Sequence, residues 1–314
     1  MKAIPEFSNS GIAFIHWGEE INMTALTKRR IGKWFLLLFA IPSLLNFLIF
    51  RYLPIFWAIN TSLWDYSLLA GFRRFLGLGN YINLLKDPAF YQSLWVTFKY
   101  FIMYVPASVI VALALASFVN QTKPGVNFLR AIIFIPVVTS FVVVSIVWGM
   151  LLHRDVGMVN SFMSMLRLER VAFLLNTKTA LPTVVMISVW KNVGYSMIII
   201  VAGLKGIDTS FYESAHLDGA SKFRIYTKIT LPMISRQLMF ITVWATLGAF
   251  QSFIPVQTLT NGGPNRSTNV IVFHIYNTGF HFGRMGYATS MAIIMLIILL
   301  LISVGQMRLF KRDY

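Results

Sequence analysis

The sequence predicts an all-α integral membrane protein with about six transmembrane helices. Three observations lead there. Apolar residues make up 57% of the 314 residues and charged residues only 12%, where a soluble domain carries roughly 25% charged residues. Six segments reach the ~20 mostly apolar residues that a membrane-crossing helix needs. None of the 11 Asp and Glu residues falls inside any of them. A bilayer removes the demand for a charged surface, because lipid-facing atoms must be apolar.

The six segments follow one another with unequal loops. The first covers about 34–59 and opens WFLLLFAIPSLLNFLIF, just after Lys28, Arg29, Arg30 and Lys33. The others cover about 94–119, 128–152, 181–204, 233–256 and 287–309. Pro42, Pro54, Pro106, Pro136, Gly194 and Gly248 lie within them. Membrane helices tolerate such residues where neighbours satisfy the freed backbone, so they are expected to mark kinks and close packing. With both termini cytoplasmic, the inside segments, counted out to Arg130, Arg236 and Arg308 at the span ends, carry about 15 Lys and Arg over about 83 residues and the outside ones about 9 over about 88, the asymmetry of the positive-inside rule. Residues 1–31 then form a cytoplasmic tail, with Phe14, Ile15 and Trp17 suited to an interfacial helix. Glu19 and Glu20 interrupt any apolar run there, so no cleavable signal peptide is expected. Residues 32–314 form one membrane domain.

Several chemistries are excluded or left open. The net charge of +16 is assigned to topology and lipid headgroups rather than to nucleic acid. There are no cysteines, so no thiolate metal site or disulfide exists, and the five histidines show no HExxH spacing. No GxxxxGK[ST] phosphate loop occurs, so ATP chemistry is not encoded in this chain. A proton-driven carrier usually holds a carboxylate within the membrane, and here none is expected. A sodium-coupled secondary carrier stays open as the alternative, since its site can use carbonyls and hydroxyls. Arg51 and Lys99 fall near span ends and can snorkel. Lys191 falls mid-span in the fourth segment, where it either lines a pathway or pairs with a carbonyl or hydroxyl.

The loop at 205–232 carries the densest local signals. Asp208, Thr209 and Ser210 offer an N-cap. A short helix at 211–217 would put Phe211, Ala215 and Tyr212 on one side. Asp218-Gly219 is a turn signal. A second short helix is expected at 221–229, and Leu231-Pro232 suits the first turn of the next span. Such an elbow suits either a lipid surface or a groove in another protein.

The spacing in this loop resembles the EAA loop of binding-protein-dependent ABC importer permeases. That pattern is Glu-Ala-Ala, three residues, Gly, nine residues, Ile, one residue, Leu-Pro. Here Glu213, Ser214 and Ala215 are followed by Gly219, Ile229, Leu231 and Pro232 at the same intervals, with Ser214 replacing the middle alanine. Asn80-Tyr81, Phe134 to Pro136, Trp148, an altered Gly157 to Asn160, Trp190, Thr260 to Pro264 and Gly286 to Ala288 look like the sugar and glycerophosphate branch. The likeness runs from about 77 onward, with a family core at about 90–308, and leaves out residues 1–30.

The resemblance implies a type I importer permease that receives a disaccharide, oligosaccharide, polyol or glycerol phosphate from an extracytoplasmic solute-binding protein. It implies two ATPase subunits, which hold the ATP and Mg, with no cofactor in this chain. It further implies a second, similar permease chain and a bacterial or archaeal cytoplasmic membrane. The ATPase would grip Tyr212, Glu213, Ala215, Asp218, Gly219, Ala220, Leu231 and Pro232, with Glu213 meeting a basic or polar group. Gly262, Gly263 and Pro264, in a tight turn, are candidates for the solute-binding-protein contact. Sugars need hydroxyl-satisfying groups and flat apolar faces, so Trp190, Lys191, Asn192, Tyr195 and Gln251 are candidates for the solute pathway.

Overall fold

The computed structural model describes residues 33–121 and 124–311. The expected tail at 1–31 lies outside the described residues. The chain divides into two units, the first ending at Phe56 and the second starting at Trp57.

In the first unit, α1 (Lys33–Phe47) passes through a π-turn (Leu48–Tyr52) into α2 (Leu53–Ser62), which continues into the second unit. The stretch Ala40–Ser62 is long and apolar enough to cross a membrane. Pro54 has no N–H to reach the carbonyl of Phe50. The ladder widens just before it, and Leu53 N–H bonds back to Leu48 O, the i→i+5 pattern of a π-turn. Residues 41–56 are exposed, as a lipid-facing helix requires.

The second unit opens with an antiparallel hairpin, β1 (Trp64–Ser67) and β2 (Gly71–Phe75). A short α3 (Gly79–Leu84) follows. Asn80 donates from its amide to Ser62 O at 2.8 Å and Trp64 O at 3.0 Å, tying α3 to the start of the hairpin. Then α4 (Pro88–Val119) begins earlier than the expected 94. Asp87 caps it by accepting from Ala89 N–H at 2.8 Å, and Pro88 occupies the first turn, where a missing N–H costs nothing.

The third span departs from expectation. The sequence reads as one helix over 128–152, but α5 (Val126–Val138) and α6 (Phe141–Leu151) meet at 100°. Pro136 removes one ladder bond, Thr139 and Ser140 adopt extended backbone, and Thr139 Oγ1 donates to Pro136 O at 2.6 Å. After α7 (Met158–Met165), α8 (Ala180–Lys205) forms the most enclosed span, 67% buried. Ala112 and Ala116 of α4 are fully buried in one cluster with Met197 and Ile200 of α8, small residues that let backbones approach.

The loop that follows α8 folds as α9 (Thr209–Leu217), α10 (Lys222–Ile225), a π-turn (Tyr226–Thr230) and α11 (Leu231–Met233). A 70° bend at Ile234 leads into α12 (Ser235–Phe250). The fifth span therefore stops at Phe250 rather than 256, because Gln251 and Ser252 break it before Pro255 helps start α13 (Ile254–Leu259). Next come α14 (Ile271–Tyr276), a π-turn (Asn277–His281) and α15 (Met285–Lys311). Tyr287 of α15 donates to Asp87 Oδ2 at 2.8 Å, joining the feet of α4 and α15. Among the described residues four helices are long and apolar enough to cross a membrane, and the total is six when each bent pair is counted as one span.

One buried amide organises the loop between α6 and α8. Asn160 is fully buried, donates to His153 O at 3.2 Å and Val171 O at 3.0 Å, and accepts from Val171 N–H at 2.8 Å. Asn160→Ala is expected to cost about 1–3 kcal/mol, because it strands buried backbone groups. A thermal melt of the purified variant checks this, and an unchanged midpoint would refute it.

Candidate functional site

Two features stand out in the second unit, an exposed elbow between α8 and α12 and a cavity that gathers several hydroxyl and amide groups. The elbow starts at Asp208, whose side chain caps α9 by accepting from Ser210 N–H at 2.9 Å. The backbone N–H and hydroxyl of Ser210 hold the Asp208 carboxyl below the usual carboxylate range. At the other end of α9, Gly219 N–H donates to His216 O at 3.1 Å and Ala220 N–H to Ala215 O at 3.0 Å. Gly219 has φ of +71°, and this pair of bonds is a Schellman motif with the glycine in the left-handed position. Ser221 then caps α10, accepting from Arg224 N–H at 3.4 Å. The second helix ends at Ile225, shorter than the expected 221–229. The chain continues as a π-turn because Pro232 cannot supply the N–H for Lys228 O.

The elbow has two faces. Ala215, Ile225 and Thr230 are buried. Tyr212 is half-buried, and its hydroxyl lies 3.3 Å from Thr230 Oγ1. Tyr212 and Leu231 pack on a cluster that includes Val119 of α4, Leu204 of α8, Ile207, Ile234 and Ile241 of α12. The other face shows Glu213, Asp218, Gly219, Phe211, Leu217 at 90% exposure and Phe223 at 78%. Phe211 was expected beside Ala215; instead it turns outward. The eight loop residues named from the sequence thus divide. Glu213, Asp218, Gly219 and Pro232 are exposed, Tyr212, Ala220 and Leu231 are intermediate, and Ala215 supports from beneath.

The cavity holds about 220 Å³ and is lined by Tyr100, Tyr104, Ser188, Asn192, Gln251 and Ser252, with Phe141 and Pro255 among its apolar walls. The Tyr100 and Tyr104 rings stack at 5.6 Å, and Asn192 donates from its amide to the Tyr104 hydroxyl at 3.2 Å. This arrangement gathers hydroxyls and amides, groups that hydrogen-bond polyhydroxy solutes, around two nearly buried rings.

The sequence-named pathway residues separate here. Asn192 and Gln251 line the cavity. Trp190 lies edge-on to Trp148 at 5.5 Å, along an apolar groove that includes Met103, Pro136 and Met186. Tyr195 packs on Trp244 at 5.4 Å. Lys191 is buried and donates from Nζ to Val137 O at 3.0 Å, with Nζ 5.6 Å from the Phe141 ring centre. Of its two open roles, the carbonyl partner is the one observed. Val137 sits one turn before Phe141, so the α5/α6 bend denies its carbonyl an ordinary helical partner. Tyr100, Tyr104, Ser188 and Ser252 were missed. The signal available was the i, i+4 spacing of 100/104 and of 188/192, which places each pair on one helix face.

The Gly-Gly-Pro turn lies beyond the far end of α12. Gly262 is buried against the Phe273 ring, and Gly263 and Pro264 are half-buried. Thr268 Oγ1 donates to Gly263 O at 2.7 Å, and Gly263 N–H to Thr260 O at 2.9 Å. The exposed residues of this turn are Asn261, Asn265 and Arg266.

Known proteins share this plan. Residues 76–314 match the family described as the binding-protein-dependent transport system inner membrane component. YurN of Bacillus subtilis (strain 168), a probable ABC transporter permease protein, is 34% identical over 279 residues, covering 87% of this chain and 95% of YurN. The lactose transport system permease protein LacF of Rhizobium radiobacter is 31% identical over 275 residues, covering 86% of this chain and 91% of LacF. A chain of a crystallised bacterial ABC transporter that imports alginate superposes with a TM-score of 0.76 at 24% identity, covering 92% of this chain and 98% of that one. That last likeness concerns the fold. The chain belongs to the binding-protein-dependent transport system inner membrane components and is a permease subunit of an ABC importer, with ATP hydrolysis left to a separate subunit.

Proposed function

We propose that this permease carries a sugar or a related polyol or glycerol phosphate, handed over by an extracytoplasmic solute-binding protein, and that loop 205–232 couples it to the ATPase. The observation that carries the coupling role is the exposed elbow of α9 and α10, which sets Glu213, Leu217 and Phe223 outward on a firmly capped turn. Exposed apolar side chains beside charges are what a knob in a partner's groove requires. The solute class rests on relatives named for lactose and for sulfoquinovosyl glycerol and on the hydroxyl- and amide-lined cavity.

In this reading two ATPase subunits bind ATP and Mg, close on each other, and carry the elbows with them. The membrane bundle follows as a rigid body and exchanges inward-facing for outward-facing access. A second, similar permease completes the pathway. The membrane is the cytoplasmic one of a bacterium or archaeon, with both termini inside, and Gly262, Gly263 and Pro264 shape a turn at the outer face that meets the binding protein. The family leaves no support for the sodium-coupled carrier.

A photo-crosslinking phenylalanine analogue in place of Phe223 tests the coupling role. Irradiation of the assembled complex is expected to join the chain to an ATPase subunit. Adducts only with lipid, or within this chain, would overturn the docking role.

A further inference from the structure

We infer that the β1–β2 hairpin is an interfacial lipid anchor, with Leu68 and Leu69 dipping into the bilayer and Arg73 and Arg74 holding lipid phosphates. The hairpin is fixed at the membrane boundary by its connections. α2 closes the first span at Ser62 and β1 starts at Trp64. The foot of the last span lies against the same strand. A side chain at Gly286 would collide with the backbone of Trp64 and Tyr66, so only glycine fits there. Two span ends therefore hold the hairpin at the level where hydrocarbon gives way to water.

Its surface suits that level. Two strands alone are marginal in water and need an apolar cover. The cover here is incomplete. Trp64 packs on Phe72 at 5.5 Å and Phe75 at 5.0 Å, and Tyr66 on Phe72 at 4.5 Å, yet Phe72 and Phe75 stay exposed. Phe72 also touches Trp57 of α2 at 6.0 Å, so the aromatic face continues directly onto an exposed span residue. The tip carries Leu68 and Leu69, the latter wholly exposed. Aromatic rings enrich at the headgroup level of membranes, and aliphatic side chains reach past it. Arg73 and Arg74 are exposed on β2, against one acid, Asp65, across the ladder. Their planar guanidinium forks match phosphate geometry. Continuity with a span and a basic flank favour lipid over a protein neighbour.

The chain has no native cysteine, so Leu69→Cys carries the only spin label. The labelled permease, assembled with its partner subunits, is placed in nanodiscs of phosphatidylcholine with or without phosphatidylglycerol. The label is expected to be open to oxygen, shielded from an aqueous nickel relaxant, and roughly 5–10 Å into the headgroup boundary. A label as open to nickel as one at exposed Asp155→Cys would overturn the anchor. Shielding from both agents would also overturn it, in favour of a protein neighbour. Phosphatidylglycerol is expected to deepen the label, and Arg73→Ser with Arg74→Ser to remove that response. A response that survives both substitutions would overturn the role of the arginines.

Discussion

Gly219→Val is expected to cut ATP-driven uptake at least about tenfold while the chain still inserts, since each ~1.4 kcal/mol of lost coupling is worth a factor of ten. Gly219 sits at φ of +71°. A left-handed conformation costs an ordinary residue roughly 1–2 kcal/mol and is worst for β-branched side chains. The space around it is open, so any effect comes through the backbone and not through a clash. If the turn unwinds, the bonds from Gly219 to His216 and from Ala220 to Ala215 go with it, and α10 with Phe223 leaves its place. The backbone argument makes a graded forecast. Asparagine tolerates the left-handed region, so Gly219→Asn should keep most uptake, Gly219→Ala less and Gly219→Val least. Uptake into proteoliposomes and co-purification of the ATPase should fall in that order. Equal uptake in all three variants would sink the reversal as the element that aims the elbow.

Lys191→Met should destabilise the permease by about 1–3 kcal/mol, the cost of leaving a buried hydrogen-bonding group unmade. The residue is 7% exposed and its Nζ meets Val137 O at 3.0 Å, at the bend between α5 and α6. Methionine keeps the length and apolar stem but cannot donate, so Val137 O loses the partner that the bend demands. Thermal unfolding of the purified complex should drop, with uptake at low temperature reduced less than stability. The opposite pattern, an unchanged melt with lost uptake, would return Lys191 to the solute pathway.

The structure explains which parts of this fold could be read in advance. The α8 segment was legible because apolar residues dominate both sides of Lys191 and Asn192 and the run ends at Lys205 and Gly206. The elbow was legible because Asp208 and Gly219 act locally, one as a cap and one as a left-handed turn residue. The α5/α6 break was not. Pro106 leaves α4 continuous, whereas Pro136 is followed by a 100° bend. The difference includes Lys191, which lies 54 residues from Val137 and donates to its carbonyl at the bend. Three π-turns were also hidden, and two of them have a local cause. One contains Phe50 O ahead of Pro54, the other Lys228 O ahead of Pro232. In both cases the proline lacks the N–H four residues on. Of the pathway candidates named by residue type, Asn192 and Gln251 line the cavity, whereas Trp190 and Tyr195 lie outside its lining. Successive α-helical residues turn by about 100°, so 190, 192 and 195 cannot all face one space.

The packing beneath the elbow bears on how motion travels. Tyr212, Leu231 and Ile234 rest on the same apolar cluster as Val119, Leu204 and Ile241, and close-packed interiors yield little under load. On the coupling role proposed above, torque applied at the projecting tip would be shared at once by α4, α8 and α12, like teeth cut on a single gear.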